Sequence, residues 1–416
     1  MWKPLDTRGW RERRRGDISG VLGSVREIID AVQRDGDSAL IELSRRFDRF
    51  DGDSISILPE EIEAAYDEVD DRLIEALCEA EARITHFHEL QKSRSLWLEE
   101  IEPGVTLGVR TRPLDRVGCY VPGGRAAYPS TVLMTAVPAR VAGVPEICIC
   151  TPPPGDPLTL VAMDIAGVTE GYRVGGAQAI AAMAIGTETI RPVAKIVGPG
   201  NVYVTAAKML LRDEAEIDFP AGPSEIGIIA DLTADPSYIA ADVLAQAEHD
   251  PHSASVLVTT DAGLATRVGK EIERMLASSP RREIIEQALT HSGYVITADR
   301  AEAIRVMDEI APEHLSLQVA DPMGLLGEVG HAGSIFVGPY TPVACGDYAS
   351  GTNHVLPTAG YASVYSGLDV HHFCTRSQVQ ILTPEGLEAI GDVVEALAEA
   401  EGLAAHAESV RVRRRG

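Results

Sequence analysis

The chain has 416 residues, of which 45% are hydrophobic and 24% charged, and its formal net charge is −25. Disordered chains lack so many apolar residues, so the sequence predicts a folded globular protein, and its length favours two or three compact units. The negative charge excludes nonspecific binding to nucleic acid or to an anionic membrane, because phosphates would be repelled over most of the surface.

Cysteine usage and the absence of long apolar runs predict a cytoplasmic protein. Six cysteines form no CxxC pair, which argues against a disulfide framework or a thiolate zinc site and favours a reducing compartment. The longest uncharged apolar stretch, residues 126–139, is short and contains two prolines, and the N-terminus lacks a signal-like apolar region, so we expect neither a membrane span nor secretion. The basic runs at 13–15 and 413–415 are expected to be solvated.

The chain begins with predicted helices and changes near residue 104 to strands that alternate with helices. Residues 18–92 include Val25, Ile28, Ile29 and Val32 at helical spacing, and the region from about 384 is again amphipathic and helical. Strands that alternate with helices predict an α/β fold with parallel-rich sheets covered on both faces. The predicted strands are 117–121, 147–151, 196–198, 226–230, 255–259, 294–297 and 334–337.

Glycine and proline cluster at 121–124, 175–176, 198–201 and 221–224, mostly just after predicted strands. An ordinary tight turn explains any one of these segments, but four together favour a ligand-binding edge, because open α/β sheets bind ligands in loops at the carboxyl ends of strands. Gly198 and Gly200 would be the first two glycines of a dinucleotide fingerprint, but Tyr203 stands where the third is needed, so spacing alone does not predict NAD.

Gln246 and His249 lie near the end of a helix that Asp235 and Pro236 are predicted to begin and Pro251 to end. Residues three apart on one helix face can converge on a metal ion or a ligand. The alternative is a surface or capping histidine.

Glu313 and His314 are adjacent and directly precede a predicted strand at 315–319. Neighbours in an extended segment point to opposite sides, so both reach one site only if Pro312 imposes a turn or the segment lines a cleft. Such a pair offers two proton-transfer groups, which an oxidation with a hydration step would use. The alternative is a solvated glutamate beside a capping histidine.

The segment 346–357 is rich in hydrogen-bonding side chains. Asp347 is an oxygen ligand suited to zinc or manganese, and His354 could orient a polar substrate. The alternative is a polar surface loop. Glu401 and His406 lie farther along, where solvent exposure is the ordinary expectation for isolated charged or polar residues.

Together these segments resemble the histidinol dehydrogenase family over about residues 15–410. The strongest stretches are 116–124, 174–179, 198–201, 221–225, 246–249, 311–315 and 346–357. The resemblance implies a homodimer built from two incomplete Rossmann-like domains, a helical N-terminal arm and a C-terminal tail domain that completes the partner's active site. The implied boundaries are 1–17 for the arm, 18–118 with 225–368 for the first domain, 119–224 for the second and 369–416 for the tail.

The same resemblance implies a zinc-dependent, four-electron oxidation of histidinol through histidinaldehyde to histidine with two NAD, the last steps of histidine biosynthesis. His314 would accept the alcohol proton and act again in the second oxidation, and Glu313 would activate water to hydrate the aldehyde. The implied zinc ligands, which also contact the substrate, are Gln246, His249, Asp347 and His406 of the partner subunit.

Further contacts follow from the family resemblance alone. Tyr120, Gln178 and Asn201 would contact NAD. His314 would touch the substrate, and the other implied substrate contacts are Ser224, His354 and, across the dimer, Glu401.

Two other activities, a different route for the second oxidation and a non-catalytic role are the alternatives. A dehydrogenase of the same superfamily that acts on a small sulfonated diol would share zinc and NAD, but Glu401 and His354 favour an imidazole substrate. A zinc hydrolase could use Glu313 to activate water, and it would produce no NADH. Cys119 could form a thiohemiacetal with the aldehyde if a neighbour lowered its pKa. A non-catalytic binding protein is disfavoured because every position that the chemistry requires is filled.

Overall fold

The computed structural model describes residues 2–14, 18–123 and 128–415. Arg15 of the basic N-terminal run and Gly124 of the first glycine-rich segment lie outside the described residues. Among those described, no helix has both the length and the apolar character that a membrane span requires.

The strands and helices are numbered here in chain order. The strands are β1 Ser56–Ile57, β2 Leu96–Glu102, β3 Val105–Pro113, β4 Arg116–Tyr120, β5 Glu146–Thr151, β6 Glu170–Arg173, β7 Lys195–Val197, β8 Glu216–Ile217, β9 Glu225–Ala230, β10 Ala254–Thr259, β11 Gly293–Ile296, β12 His314–Gln318, β13 Ser334–Val337 and β14 Cys374–Leu382. The α-helices are α1 Trp10–Arg14, α2 Leu22–Asp48, α3 Pro59–Tyr66, α4 Asp71–Glu89, α5 Pro129–Ala142, α6 Pro157–Ala166, α7 Gly176–Ile185, α8 Val202–Leu210, α9 Pro236–Ala247, α10 Ala262–Leu276, α11 Arg282–Ala288, α12 Arg300–Ile310, α13 Pro322–Leu326, α14 Val343–Tyr348, α15 Pro384–Ala400 and α16 Ala404–Arg414.

The chain divides into two compact units. The larger unit comprises Met1–Gln91 and Asp115–His372, and the smaller comprises Lys92–Leu114 and Phe373–Gly416.

The larger unit contains two parallel-rich sheets. One has six strands in the order β1-β6-β5-β4-β7-β8, parallel except where β1 pairs with β6. The other has five parallel strands in the order β11-β10-β9-β12-β13. The expected α/β class with parallel-rich sheets and an α-rich beginning is therefore confirmed.

The central strands are almost continuously apolar because helices cover both faces of each sheet. All six residues of β9 and of β10 are buried, and so are ten of the fourteen residues of α5 and eight of the ten residues of α7. Such strands read as unbroken β-branched runs, which is why the sequence identified them.

The N-terminal helices and strand β4 pack with the six-stranded sheet. Strands β1 and β4 belong to the six-stranded sheet, and α2 packs on α7 and α8 of the same layer. Val25, Val32 and Leu40 of α2 share one buried core with Ile180 of α7. Residues 22–57 and 116–118 therefore associate with 119–217, because the apolar stripe of α2 is buried against that layer.

The smaller unit consists of a three-stranded antiparallel sheet, in the order β14-β3-β2, and helices α15 and α16. The two helices are tied by ion pairs of Arg411 and Arg414 with Glu395, at 2.7 and 2.8 Å. The expected terminal helices are present, whereas the sheet was not predicted. Every residue of β2 is exposed, so its sequence lacks the alternation that marks a half-buried strand.

Candidate active site

One cleft of the larger unit, with a volume of about 2420 Å³, brings most of the predicted site residues together. It lies where the carboxyl ends of β4, β6 and β7 face the amino ends of β9 and β12. Gln246 does not line the cleft but contacts residues that do. The predicted residues in its lining are Tyr120, Gln178, Asn201, Ser224, His249, Glu313, His314, Asp347 and His354.

The six-stranded sheet contributes mainly loops and helix N-termini. Tyr120 ends β4, and its hydroxyl accepts a hydrogen bond from the Gly176 amide at 3.0 Å. Gln178 is buried in the first turn of α7, and its Nε2 has no hydrogen-bond partner among the described residues. Asn201 caps α8 by accepting from the Tyr203 amide at 3.0 Å, so it has a structural role that the sequence analysis did not identify.

A buried ion pair fixes the loop that follows β7. The Lys208 ammonium donates to the Gly198 carbonyl at 2.6 Å and to Asp218 at 2.8 Å, and the Asp218 carboxylate accepts from the Gly198 amide at 2.8 Å. Gly198 has φ +113°, and a β-carbon there would lie 2.2 Å from the Tyr120 carbonyl oxygen. Only glycine fits this position.

The five-stranded sheet contributes ionisable side chains at its amino edge. His314 is the first residue of β12 and pairs in register with Ile226 of β9, so the residues just before them, Glu313 and Glu225, are also neighbours. Glu313 accepts hydrogen bonds from the Ser224 hydroxyl and, at 2.9 Å, from the Glu225 amide. These donors draw the Glu313 side chain toward His314, which explains how two adjacent residues reach one site.

A hydrogen bond to Gln246 determines which ring nitrogen of His314 carries the proton. Its Nδ1 lies 3.1 Å from Gln246 Oε1, an atom that only accepts, so Nδ1 carries the proton. Its Nε2 is buried, has no hydrogen-bond partner among the described residues, and lies 3.8 Å from Asp347 Oδ1. Burial lowers the pKa of His314, which keeps the ring neutral and Nε2 able to accept a proton.

Glu313 has a pKa suited to proton transfer near neutrality. Burial raises the pKa of Glu313 to about 7 and outweighs the hydrogen bonds from Ser224 and Glu225, which lower it. Its Oε2 lies 3.6 Å from His314 Nδ1. A buried carboxylate and a neutral imidazole therefore share one pocket.

The helix that carries Gln246 is shorter than predicted. Helix α9 ends at Ala247, where the Glu248 amide bonds to the Leu244 carbonyl at 3.0 Å, so His249 lies beyond the helix in an exposed turn. Asp250 precedes a proline, a position that disfavours helical backbone, which accounts for the early end. The buried Gln246 donates through Nε2 to the Ser224 hydroxyl at 2.7 Å.

Asp347 and His354 are linked near His314. Asp347 lies in the short helix α14, where burial raises the pKa of its carboxyl group to about 6. His354 Nδ1 donates to the Asp347 carbonyl at 2.9 Å, and burial lowers the pKa of His354 to about 4. Both residues are partly buried, unlike the polar surface loop that was the alternative.

Glu401 and His406 belong to the smaller unit. Glu401 caps the end of α15 and His406 lies in the first turn of α16, so the two residues flank the connection between these helices. Both side chains are exposed. The larger unit alone supplies the other predicted site residues.

Cys119 does not take part in this site. Its side chain is fully buried in β4 and does not line the cleft. Burial raises the pKa of the thiol well above its ordinary value, so the thiolate required for a thiohemiacetal does not form near neutral pH.

Comparisons with known proteins identify the family. The family model described as "Histidinol dehydrogenase" matches residues 11–414. A histidinol dehydrogenase of Methanothermobacter thermautotrophicus is 53% identical over 409 residues, covering 97% of this chain and 96% of that protein. One of a Synechococcus strain is 51% identical, covering 94% of this chain and 91% of the relative.

The solved structures include a close match. The crystal structure of histidinol dehydrogenase from Elizabethkingia anophelis superposes with a TM-score of 0.93 at 38% identity, covering 99% of this chain and 97% of that one. The chain therefore belongs to the histidinol dehydrogenase family of oxidoreductases.

Proposed function

We propose that this chain oxidises histidinol through histidinaldehyde to histidine with two NAD, as the last steps of histidine biosynthesis in the cytoplasm. The observation that carries the proposal is His314, whose Nδ1 is hydrogen-bonded to Gln246 while its buried Nε2 faces the cleft without a partner among the described residues. A neutral imidazole with an unpartnered ring nitrogen can act as a base and accept the proton of a substrate hydroxyl.

His314 and Glu313 accept protons from different groups. His314 Nε2 accepts the hydroxyl proton of histidinol and gives it to the aldehyde oxygen as water adds. It then accepts a hydroxyl proton of the hydrated aldehyde in the second oxidation. Glu313 accepts a proton from the water that adds to the aldehyde, a task for which a carboxylate with a pKa near neutrality is suited. Both oxidations use one cleft, which keeps the reactive aldehyde in place.

NAD would bind at the carboxyl edge of the six-stranded sheet and accept a hydride in each oxidation. The N-termini of α7 and α8 lie at this edge and favour a pyrophosphate, since helix N-termini attract anions. Tyr120, Gln178 and Asn201 line the cleft there, and the unpartnered Nε2 of Gln178 is a donor available to the dinucleotide.

Zinc fits the donors beside His314. The amide oxygen of Gln246, the imidazole of His249 and the carboxylate of Asp347 form a mixed oxygen and nitrogen set that zinc accepts, and His406 of the partner subunit would complete it. Burial makes the charged form of Asp347 costly, and a divalent cation would offset that cost. When bound, zinc would orient the imidazole and amino nitrogens of the substrate.

The described part of one chain supplies only some of the ligands that the proposed metal site needs. Among residues 2–14, 18–123 and 128–415, no three His, Cys, Asp or Glu side chains come together to bind a metal. The proposed set includes only His249 and Asp347 of these types from one chain, so an amide oxygen and the partner subunit must supply the rest.

A homodimer is supported by large apolar side chains that are exposed on the smaller unit. Trp97 and Ile101 of its sheet are 41% and 56% exposed, and Val393 and Leu397 of α15 are each 61% exposed. Large exposed apolar patches mark interfaces. We propose that this unit packs on a second copy and supplies Glu401 and His406 to the partner's cleft, where Glu401 would pair with a cationic nitrogen of the substrate.

The proposal is tested by following NADH absorbance after histidinol is added to the protein in the presence of zinc or of a chelator. We expect NADH with zinc and a large loss of rate with chelator. A hydrolase would form no NADH. A preference for a sulfonated diol over histidinol would point instead to the related dehydrogenase.

A mixed dimer tests the shared site. His406→Ala and Asp347→Ala should each inactivate the homodimer, whereas a mixed dimer of the two variants should regain one intact site and so up to half of the activity. Activity unaffected by either single change would remove both residues as ligands.

A further inference from the structure

Helix α1 ends in Arg14, which is buried, so the expectation that the basic run at 13–15 is solvated is wrong at this residue. Arg14 contacts residues that line the cleft, although no proposed chemical step requires it. Its side chain is 8% exposed, and its Nε lies 3.4 Å from the carboxylate of Glu225, which is 1% exposed. Trp10, one helical turn earlier, donates through its indole nitrogen to the same carboxylate oxygen at 3.1 Å. Buried charges of this kind are costly unless they are paired and hydrogen-bonded.

The guanidinium of Arg14 also binds main chain on both sides of the site. It donates to the carbonyls of Pro223 and Ser224, each at 3.1 Å, and to the carbonyl of His252 at 2.5 Å. The first two carbonyls belong to the turn before β9, and the third belongs to the turn that follows His249. One planar group therefore fixes two turns, and its rigid fork suits that task better than an ammonium would.

The turn before β9 holds Glu313 in place. The Ser224 hydroxyl and the Glu225 amide both donate to Glu313 Oε2. Both donors belong to residues 223–225. Arg14 binds two carbonyls and one carboxylate of the same short segment. Any change in that segment would move both donors relative to Glu313.

We propose that Arg14 is a positioning residue, which acts through Ser224 and Glu225 to hold Glu313 where it can accept a proton from water. The inference rests on the proposed function, because it assigns Glu313 to the hydration of the aldehyde. It also gives the N-terminal arm a role in the reaction.

The test separates the two oxidations in Arg14→Gln. The first is followed as the initial burst of NADH from histidinol, and the second as NADH formed from histidinaldehyde supplied directly. We expect the second to slow at least tenfold and the first to stay within threefold of wild type, and Arg14→Lys should recover part of the loss. A merely structural defect would slow both oxidations alike.

Arg11→Gln is the matched control. Arg11 lies on the same helix, but it binds the carbonyls of Glu309 and Asp308, at 2.6 and 2.8 Å, at the end of α12. We expect it to leave both oxidations unchanged. If Arg14→Gln does not fold, Trp10→Phe removes one donor to Glu225 and should slow only the second oxidation, by a smaller factor.

The decisive readout is the double variant. If Arg14 acts through Glu313, then adding Arg14→Gln to Glu313→Gln slows the residual second oxidation by less than twofold. Losses that multiply, or an Arg14→Gln with wild-type rates, would overturn the inference while leaving the proposed function intact. If Glu313→Gln does not slow the second oxidation, the proposed role of Glu313 fails first, and the role of Arg14 fails with it.

Discussion

The two sheet edges that face each other across the cleft present different kinds of residues. The carboxyl edge of the six-stranded sheet presents glycine-containing loops, helix N-termini and neutral side chains, whereas the amino edge of the five-stranded sheet presents Glu313 and His314. The first edge is suited to hold an extended ligand by its backbone, and the second to transfer protons. The sequence analysis expected ligand-binding loops at the carboxyl ends of strands and a proton-transfer pair directly before one strand, but it did not predict that these two edges face each other across one cleft.

The largest effect should come from the amino edge. Replacing His314 with Gln removes the base that we propose for both oxidations, and we expect the turnover number for histidinol to fall roughly 10³-fold, within the range of general base catalysis. His331→Gln, at an exposed position outside the cleft, is the control and should retain wild-type turnover. Initial rates at saturating histidinol and NAD measure the effect, and a loss below tenfold would remove His314 as the base.

Glu313→Gln should affect the two oxidations differently. We expect the second oxidation to fall about 10²-fold, because water loses its base, while the first changes little. The same assay would then yield close to one NADH per histidinol in the early phase. Equal losses in both oxidations would contradict this separation.

The pH dependence gives an independent view of Glu313. A carboxylate accepts a proton only when ionised, and burial raises the pKa of Glu313 to about 7. The rate of the second oxidation should therefore rise as pH increases through about 7 and level off above it. Single-turnover rates from histidinaldehyde between pH 5.5 and 8.5, an interval of about 1.5 units on either side of that pKa, test this, and a flat wild-type profile would count against the assignment.

A change at the carboxyl edge should affect NAD binding instead. Gly198→Ala would place a β-carbon 2.2 Å from the Tyr120 carbonyl at a backbone φ of +113°, so the loop must move. We expect the KM for NAD to rise about tenfold with little change in the KM for histidinol. Gly23→Ala, in a helix with nothing within 4 Å of the new carbon, is the control. If the KM for histidinol changed more than the KM for NAD, the carboxyl edge would not be the part of the cleft that binds NAD.

The smallest effect is expected for Cys119→Ala. The thiol is fully buried beside the carboxyl edge and does not reach the cleft. Turnover should stay within twofold of wild type, since only about 1 kcal/mol of packing is at stake in so small a truncation. Loss of aldehyde oxidation alone would revive the thiohemiacetal route.

The sequence predicted the two sheets well and the site in part, for reasons that can be traced to particular residues. Buried parallel strands such as β9 are unbroken apolar runs, so they are visible locally. The exposed strand β2 has no such pattern, and the early end of α9 depends on the Asp250-Pro251 step. The ion pair of Arg14 with Glu225 joins residues 211 positions apart, a pairing that local patterns do not reveal.

Both oxidations should occur in one cleft without release of the aldehyde. The most direct measurement counts the NADH formed per histidinol consumed while an aldehyde-trapping reagent is present. We predict two NADH per histidinol, with histidine as the product and no trapped aldehyde. One NADH per histidinol, with histidinaldehyde recovered in the trap, would contradict the account.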